Sequence, residues 1–207
     1  MLNIESPTLE AVEMRLKDAK GKAPVALSNA INRAIANVKT NMVKTAASRY
    51  MVHSQKPIKA SITVHKSTRN TLSAEAISRA SEKIKLYDFK VNPTKGKPKK
   101  PPQFYKSQVL KDGGLKEMSG SQDRSKAFVA QMASGHIGIF ERQLNAQRSS
   151  PRSGRKHDQP IVELSGLSVP AMIGEKNNLK TIQEEGEKTL RERLDHEIER
   201  MLGATAK

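Results

Sequence analysis

Two short stretches rich in basic residues hold the side chains with the clearest chemistry in this sequence. One lies within residues 92–103 and the other within 142–159, and together they contribute Lys95, Lys97, Lys99, Lys100, Arg148, Arg152, Arg155 and Lys156. Lysine and arginine neutralise phosphates, so these residues are candidate contacts to DNA or to an acidic partner protein. The alternative for each stretch is a solvated loop that keeps the protein in solution.

A contact with nucleic acid is expected to be electrostatic and independent of base sequence. The chain has no Trp, three Tyr and four Phe, which leaves no aromatic platform on which bases can stack. No helix-turn-helix or other element that reads base edges stands out. The lysines and arginines would therefore contact phosphates only.

The sequence offers little for catalysis or for metal binding. There are five histidines, His53, His65, His136, His157 and His196. No two of them stand at ligand spacing, and the absence of cysteine excludes a thiolate metal site or nucleophile. Phosphate-binding glycine loops, serine-nucleophile motifs and dinucleotide motifs are also missing. We expect no enzymatic activity, no catalytic residue, no metal and no cofactor. A hydrolase would have to gather two or more of His65, His136 and Asp88 from distant positions.

Positive charge dominates the composition. The 207 residues have a formal net charge of +16. Residues 1–60 carry 10 Lys and Arg against 4 Asp and Glu, residues 61–160 carry 20 against 8, and residues 161–207 carry 7 against 9. The excess therefore lies in the middle of the chain, which favours an anionic partner. No run of eighteen apolar residues is present and residues 1–5 do not open a signal peptide, so we expect no membrane segment and synthesis in the cytoplasm.

Both ends of the chain have helical periodicity. Ser6-Pro7 predicts the start of a short helix. A longer helix is expected from Ala23-Pro24, with the apolar stripe Leu27, Ile31, Ile35, Val38, Met42, Ala46 and Tyr50. The far end of this stripe fits either a core helix or a contact with a neighbouring subunit. Near the C-terminus, Asn177 or Asn178 is expected to cap a final helix, in which Gly186 marks a bend or a point of close packing.

The middle of the chain has the period of β-strands. Strands are expected around 62–64, 71–78, 84–91, 104–111 and 160–164, with a hairpin formed by 128–132 and 137–140. The run 84–91 changes parity between Leu86 and Phe89, as a bulge or a strand end would produce. These elements predict an α+β fold in which an antiparallel sheet is flanked by a long N-terminal helix and a C-terminal helix.

We expect a single domain over residues 1–207. Its parts are N-terminal helices over 1–56, a strand-rich middle over 57–166 with extended basic loops at 92–103 and 142–159, and C-terminal helices over 167–207.

Residues 134–142 read Ser-Gly-His-Ile-Gly-Ile-Phe-Glu-Arg, and residues 160–166 read Pro-Ile-Val-Glu-Leu-Ser-Gly. With the long first helix, the strands of 61–80 and 84–89, residues 127–132 and the segment 168–172, they resemble the minor tail protein Z family of tailed bacteriophages, the lambda-type tail completion proteins. The sequence departs from the family pattern at Asp158-Gln159, where Arg-Leu is common, and at Leu167, where proline is frequent. Residues 93–102 look like an insertion.

The resemblance implies a structural protein of the virion neck, made in the host cytoplasm. Such a protein completes or caps the head-proximal end of the tail and joins it to the head around the DNA channel. The implied partners are other copies of the chain in a ring, for which a hexamer is one candidate, and neighbouring neck and tail-tube proteins. Non-specific contact with genomic DNA is also implied, and membrane contact is not. The alternative function is sequence-independent binding of double-stranded DNA.

Overall fold

The computed structural model describes residues 4–79, 83–94, 100, 102–120, 126–144, 146, 159–174 and 176–203. The fold is α+β, as predicted. The chain divides into two compact units. Unit 1 comprises Met1–Ala46, Ile58–Ala80 and Val169–Lys207, and unit 2 comprises Ala47–Pro57 and Ser81–Ser168. Within the described ranges, no helix combines the length and the apolar composition that crossing a bilayer requires.

Long helices dominate unit 1. Helix α1 spans Leu9–Leu16, a 3-10 segment follows over Lys17–Lys22, and α2 spans Ala23–Arg49. The short helix α3 covers Lys56–Ala60, α4 covers Val169–Ile173, and α5 covers Lys176–Gly203.

The predicted helix starts are shifted by one or two residues. Thr8 rather than Ser6 caps α1, because its extended backbone lets Oγ1 accept a hydrogen bond from Ala11 N at 3.3 Å. Helix α5 begins at Lys176, so Asn177 and Asn178 lie inside its first turn. The backbone carbonyl of Asn177 accepts from the Thr181 hydroxyl at 3.1 Å.

One apolar core joins α1, the 3-10 segment, α2 and α5 of unit 1. Its buried members are Val12, Leu16, Ala19, Ala23, Ala26, Leu27, Ala30, Ile31, Ala34, Leu190, Leu194, Ile198 and Met201. At the far end of the predicted stripe, Ala46 and Tyr50 are buried within the chain itself, whereas Met42 is half-buried. This burial favours the core interpretation of the stripe over a contact with a neighbouring subunit.

Gly186 is a point of close packing. It is buried in α5, and a Cβ atom there would meet Ile4 Cδ1 and would lie 2.8 Å from Val38 Cγ2 of α2. Only a residue without a side chain allows this approach.

A two-stranded antiparallel sheet completes unit 1. Strand β1 spans Ile62–His65 and pairs with β2, which spans Glu75–Ser78. Polar side chains of α2 bind the backbone of this region. Lys39 Nζ donates to Ile62 O at 2.7 Å, and Asn32 bonds both backbone groups of Ser67.

Unit 2 consists of short strands in three further antiparallel sheets. Strand β3 covers Lys83–Lys85, β4 covers Lys90–Asn92, β5 covers Lys106–Gln108 and β6 covers Lys116–Glu117. Strands β7, β8, β9 and β10 cover Phe128–Gln131, Ile137–Arg142, Ile161–Glu163 and Ser165–Ser168. The pairings are β3 with β10, β4–β5–β6 in that order, and β7–β8–β9 in that order.

The predicted strand of 84–91 is two strands in different sheets. A 3-10 turn over Leu86–Asp88 separates β3 from β4, and Phe89 N donates to Leu86 O across it. The parity change between Leu86 and Phe89 therefore marks a strand end, and the turn lets the ring of Phe89 become fully buried.

The predicted hairpin of β7 and β8 is confirmed. Gly135 at its turn has φ 85°, a conformation that glycine adopts without strain. Strands β6 and β10 were not predicted. Both are short. Strand β6 pairs with β5 across a turn, and β10 pairs with β3, which is distant in sequence.

Candidate functional site

The two basic loops fall largely outside the described residues. Of the eight candidate contacts, seven are outside: Lys95, Lys97, Lys99, Arg148, Arg152, Arg155 and Lys156. Lys100 is described, and it is exposed. The role of these eight residues stays a prediction.

Unit 2 has a more positive surface than its composition alone implies. It contains nineteen Lys and Arg against eight Asp and Glu, whereas unit 1 contains eighteen against thirteen. All of its basic residues that the structure describes are exposed: Arg49, Lys56, Lys83, Lys85, Lys90, Lys100, Lys106, Lys111, Lys116, Lys126 and Arg142. Among its described acids, only Asp112 and Glu117 are exposed, while Asp88, Glu141 and Glu163 are buried or half-buried.

The sheet β4–β5–β6 sorts its side chains onto two faces. Val91 pairs with Ser107, and Lys106 pairs with Glu117. A bridge between Ser119 and Lys126 extends the pattern beyond β6. The inward side chains belong to one core cluster and are Val91, Tyr105, Met118 and Ala127.

The opposite face is polar and largely exposed. Because side chains alternate along a strand and paired residues share a face, it contains Lys90, Asn92, Lys106, Glu117, Ser119 and Lys126, which are exposed, and Gln108, which is buried. We call the six exposed residues the basic sheet face. It carries three lysines and one glutamate.

Glu163 of β9 is the centre of a charged cluster in unit 2. One carboxylate oxygen lies 2.9 Å from His136 Nε2, and the other lies 3.0 Å from Lys85 Nζ. Burial, followed by the negative charge of Glu163, raises the pKa of Asp88 above its ordinary value. A hydrogen bond with the backbone of Lys85, followed by the attraction of His53 and His136 for the Asp88 carboxylate, opposes this rise in the pKa.

The two stretches that carry the family resemblance meet at this cluster. His136 and Gly138 come from the first stretch, and Glu163 and Gly166 from the second. A Cβ atom on Gly138 would lie 2.7 Å from Glu163 Oε1, and one on Gly166 would lie 2.7 Å from the ring of Phe89. These glycines permit close packing, so the stretches shape the fold of unit 2.

The cluster around Glu163 explains why Asp88 and His136 lie near each other, so their proximity does not require a catalytic role. Both residues interact with Glu163, whereas His65 lies in β1 of unit 1. The carboxylate of Glu163 accepts from both Lys85 and His136, which joins β3, β9 and the turn before β8. Among the described residues, no group of three or more His, Asp and Glu side chains could hold a metal ion. Sequence reasoning missed Glu163 and Lys85, because their partners are distant in sequence.

A comparison with family models assigns nearly the whole chain. The model described as Prophage minor tail protein Z (GPZ) matches residues 9–207, which include α1 through α5 and all ten strands. The comparison with curated proteins gives no match, and neither does the comparison with solved structures. The family predicted from the residues of 134–142 and 160–166 is thereby confirmed. The chain belongs to the prophage minor tail protein Z family, and it is a structural component of a bacteriophage tail that contacts other virion components.

Proposed function

We propose that this minor tail protein completes or caps the head-proximal end of the tail and joins it to the filled head. It acts as a ring of identical subunits around the DNA path, with a hexamer as one candidate, and contacts neighbouring neck and tail-tube proteins. A closed symmetric ring is the usual way in which a small chain builds large interfaces. The protein has no catalytic role in this proposal.

The charge distribution of unit 2 carries the proposal. Double-stranded DNA has one negative charge per about 1.7 Å of its axis, so a subunit beside the DNA path gains from an exposed positive surface. Every described basic side chain of unit 2 is exposed, while most of its described acids are withdrawn from solvent. The two basic loops, with Lys95 to Lys100 and Arg148 to Lys156, would extend this surface toward DNA or toward adjoining proteins.

Tail assembly tests the proposal directly. A phage that lacks this chain should produce filled heads and tails that fail to join, and supplying the chain in trans should restore joined particles. Electron cryo-microscopy of the restored particles should place its density in a ring at the head-proximal end of the tail. Density at the distal end, or normal joining without the chain, would contradict the proposal.

The second candidate function is a free protein that binds double-stranded DNA independently of sequence, favoured by the same exposed cations. Salt separates the two. A DNA-binding protein that makes 6–10 phosphate contacts loses about 10³ to 10⁵ in affinity between about 50 and 200 mM salt. A ring held by buried apolar surface should persist, so the particle mass of the purified protein should be unchanged over this range.

A further inference from the structure

We propose that the basic sheet face of unit 2 binds the phosphate backbone of double-stranded DNA. The proposal rests on the proposed position of the chain around the DNA path, and it assigns the contact to a defined surface. Its cations are Lys90, Lys106 and Lys126, with Asn92 and Ser119 as neutral hydrogen-bonding groups between them.

The lysines are spaced along the face so that each can meet a different phosphate. Lys90 lies on β4, Lys106 on β5, and Lys126 beyond β6. Neighbouring strands lie about 4.8 Å apart, so three strand spacings put Lys90 and Lys126 about 14 Å apart across the strands. The pairing register also offsets them by four residues, about 13 Å, along the strands. A duplex that crosses the strands presents about eight phosphate charges over the 14 Å.

The acid on this face is weakly engaged. Glu117 Oε1 lies 3.5 Å from Lys106 Nζ, and the two side chains are 56% and 47% exposed. An exposed ion pair of this kind contributes little to stability, because water and salt screen it. Lys106 can therefore leave Glu117 and bind a phosphate with little loss of free energy. The face keeps a net positive charge.

The chemistry of the face favours DNA over an acidic protein. Protein interfaces obtain most of their binding energy from buried aromatic and apolar anchors. Among the described residues beside this face, the aromatic one is Phe104, and Lys126 Nζ lies 5.2 Å from the centroid of its ring. The ammonium group thus covers the ring. The face then offers three cations, one glutamate and neutral polar groups. Its net positive charge suits phosphate oxygens, and none of these groups reads base sequence.

The decisive experiment compares two triple variants of the full chain. One replaces the lysines of the face, K90Q/K106Q/K126Q, and the matched control replaces three exposed lysines of unit 1, K20Q/K44Q/K66Q. Both remove the same net charge. Binding to a duplex of arbitrary sequence and about 30 base pairs, about 100 Å long, is measured by fluorescence anisotropy between about 50 and 200 mM salt.

Each phosphate contact contributes about 0.9 to the slope of log affinity against log salt, so the face variant should lose about 3 from this slope. The control variant should lose less than about 1. The variant E117Q should bind more tightly than the unmodified protein, because it removes the negative charge from the face. Thermal unfolding checks that all variants fold, and K90Q and K126Q as single variants repeat the test with smaller changes.

Equal losses in the face and control variants would assign binding to net charge, and an unchanged slope in the face variant would assign it to other residues. Either result overturns the proposal. So does a face variant that keeps its affinity for DNA but loses affinity for a polyglutamate peptide. The cryo-microscopy experiment on ring density does not depend on these lysines. If the DNA-binding experiment fails, the cryo-microscopy experiment still decides where the protein lies in the tail.

Discussion

The side-chain amide of Asn32 forms two hydrogen bonds with the backbone of Ser67. Asn32 Nδ2 donates to Ser67 O at 3.0 Å, and Asn32 Oδ1 accepts from Ser67 N at 2.9 Å. Ser67 is only 5% exposed, so water cannot readily replace these bonds. One residue of α2 thereby fixes the chain that follows β1.

Replacing Asn32 with Ala should lower the free energy of unfolding by about 2 kcal/mol, because two hydrogen bonds to a buried backbone are lost. Asn32→Asp should also destabilise the protein, since a carboxylate cannot donate to Ser67 O. Urea denaturation measures both effects. Arg33→Ala, at an exposed neighbour in α2, is the control and should change stability by less than about 0.5 kcal/mol. Equal effects at positions 32 and 33 would contradict this prediction.

Gly186→Ala should destabilise unit 1 although alanine favours helices. The gain in helix propensity is about 1 kcal/mol, but the new methyl group would overlap Ile4 and Val38. Overpacking of this kind costs about 1–3 kcal/mol, and the stiff, β-branched Val38 cannot easily move. We expect a net loss of about 1 kcal/mol by thermal denaturation.

A second substitution tests that mechanism. Val38→Ala should destabilise the protein alone but should recover part of the loss when combined with Gly186→Ala, because it makes room for the methyl group. Gly21→Ala, whose Cβ would meet nothing within 4 Å, is the control. Additive losses in the double variant would show that the packing explanation is wrong.

Asp88 should make stability depend on pH. Burial and the charge of Glu163 raise the pKa of Asp88 above 3.8 in the folded protein. Between 3.8 and the raised pKa the folded state binds more protons than the unfolded state, so the contribution of Asp88 to stability falls as the pH rises. Below that window the group is protonated in both states and has no such effect.

Asp88→Asn should therefore increase the free energy of unfolding at pH 7 and leave it nearly unchanged at about pH 3. Urea denaturation at both pH values measures the difference. The exposed Asp112→Asn is the control for the loss of one negative charge in unit 2. A loss of stability at pH 7 in Asp88→Asn would mean that the Lys85 backbone hydrogen bond and the attraction to His53 and His136 together outweigh burial.

The first basic loop is tested by reversing its charge. Replacing Lys97, Lys99 and Lys100 with Glu should lower the yield of infectious particles, because the loop would repel DNA or an acidic partner. Plaque counts and the fraction of particles that eject DNA measure the effect. Reversal of Lys20, Lys44 and Lys66 in unit 1 is the control. If particles assemble and eject their genomes normally, these loop lysines have no required role.

The sequence predicted the elements that depend on local pattern. The apolar stripe of α2 follows the helical period. Most of its members are buried, and Ile35 and Met42 are half-buried. Gly135 indicated the turn of the β7–β8 hairpin. The turn needs a positive φ, and a single glycine provides it.

The local sequence pattern did not predict which distant residues pair. The contacts of Glu163 with Lys85 and His136 join residues 78 and 27 positions apart, and no local periodicity specifies them. Strand β10 follows β9 after a single residue but pairs with β3 instead. Such partners depend on which strands become neighbours.

By itself, the sequence determined the α+β class, the two long amphipathic helices, the excess of positive charge and the family. Each of these is a sum over residue types or a short-range period. Only the tertiary structure decided which unit exposes that charge and how Lys90, Lys106 and Lys126 come to share one face. It also decided which side chains pack closely against Gly138, Gly166 and Gly186. The physical reason is that solvent exposure and close contact are properties of surfaces brought together from distant parts of the chain.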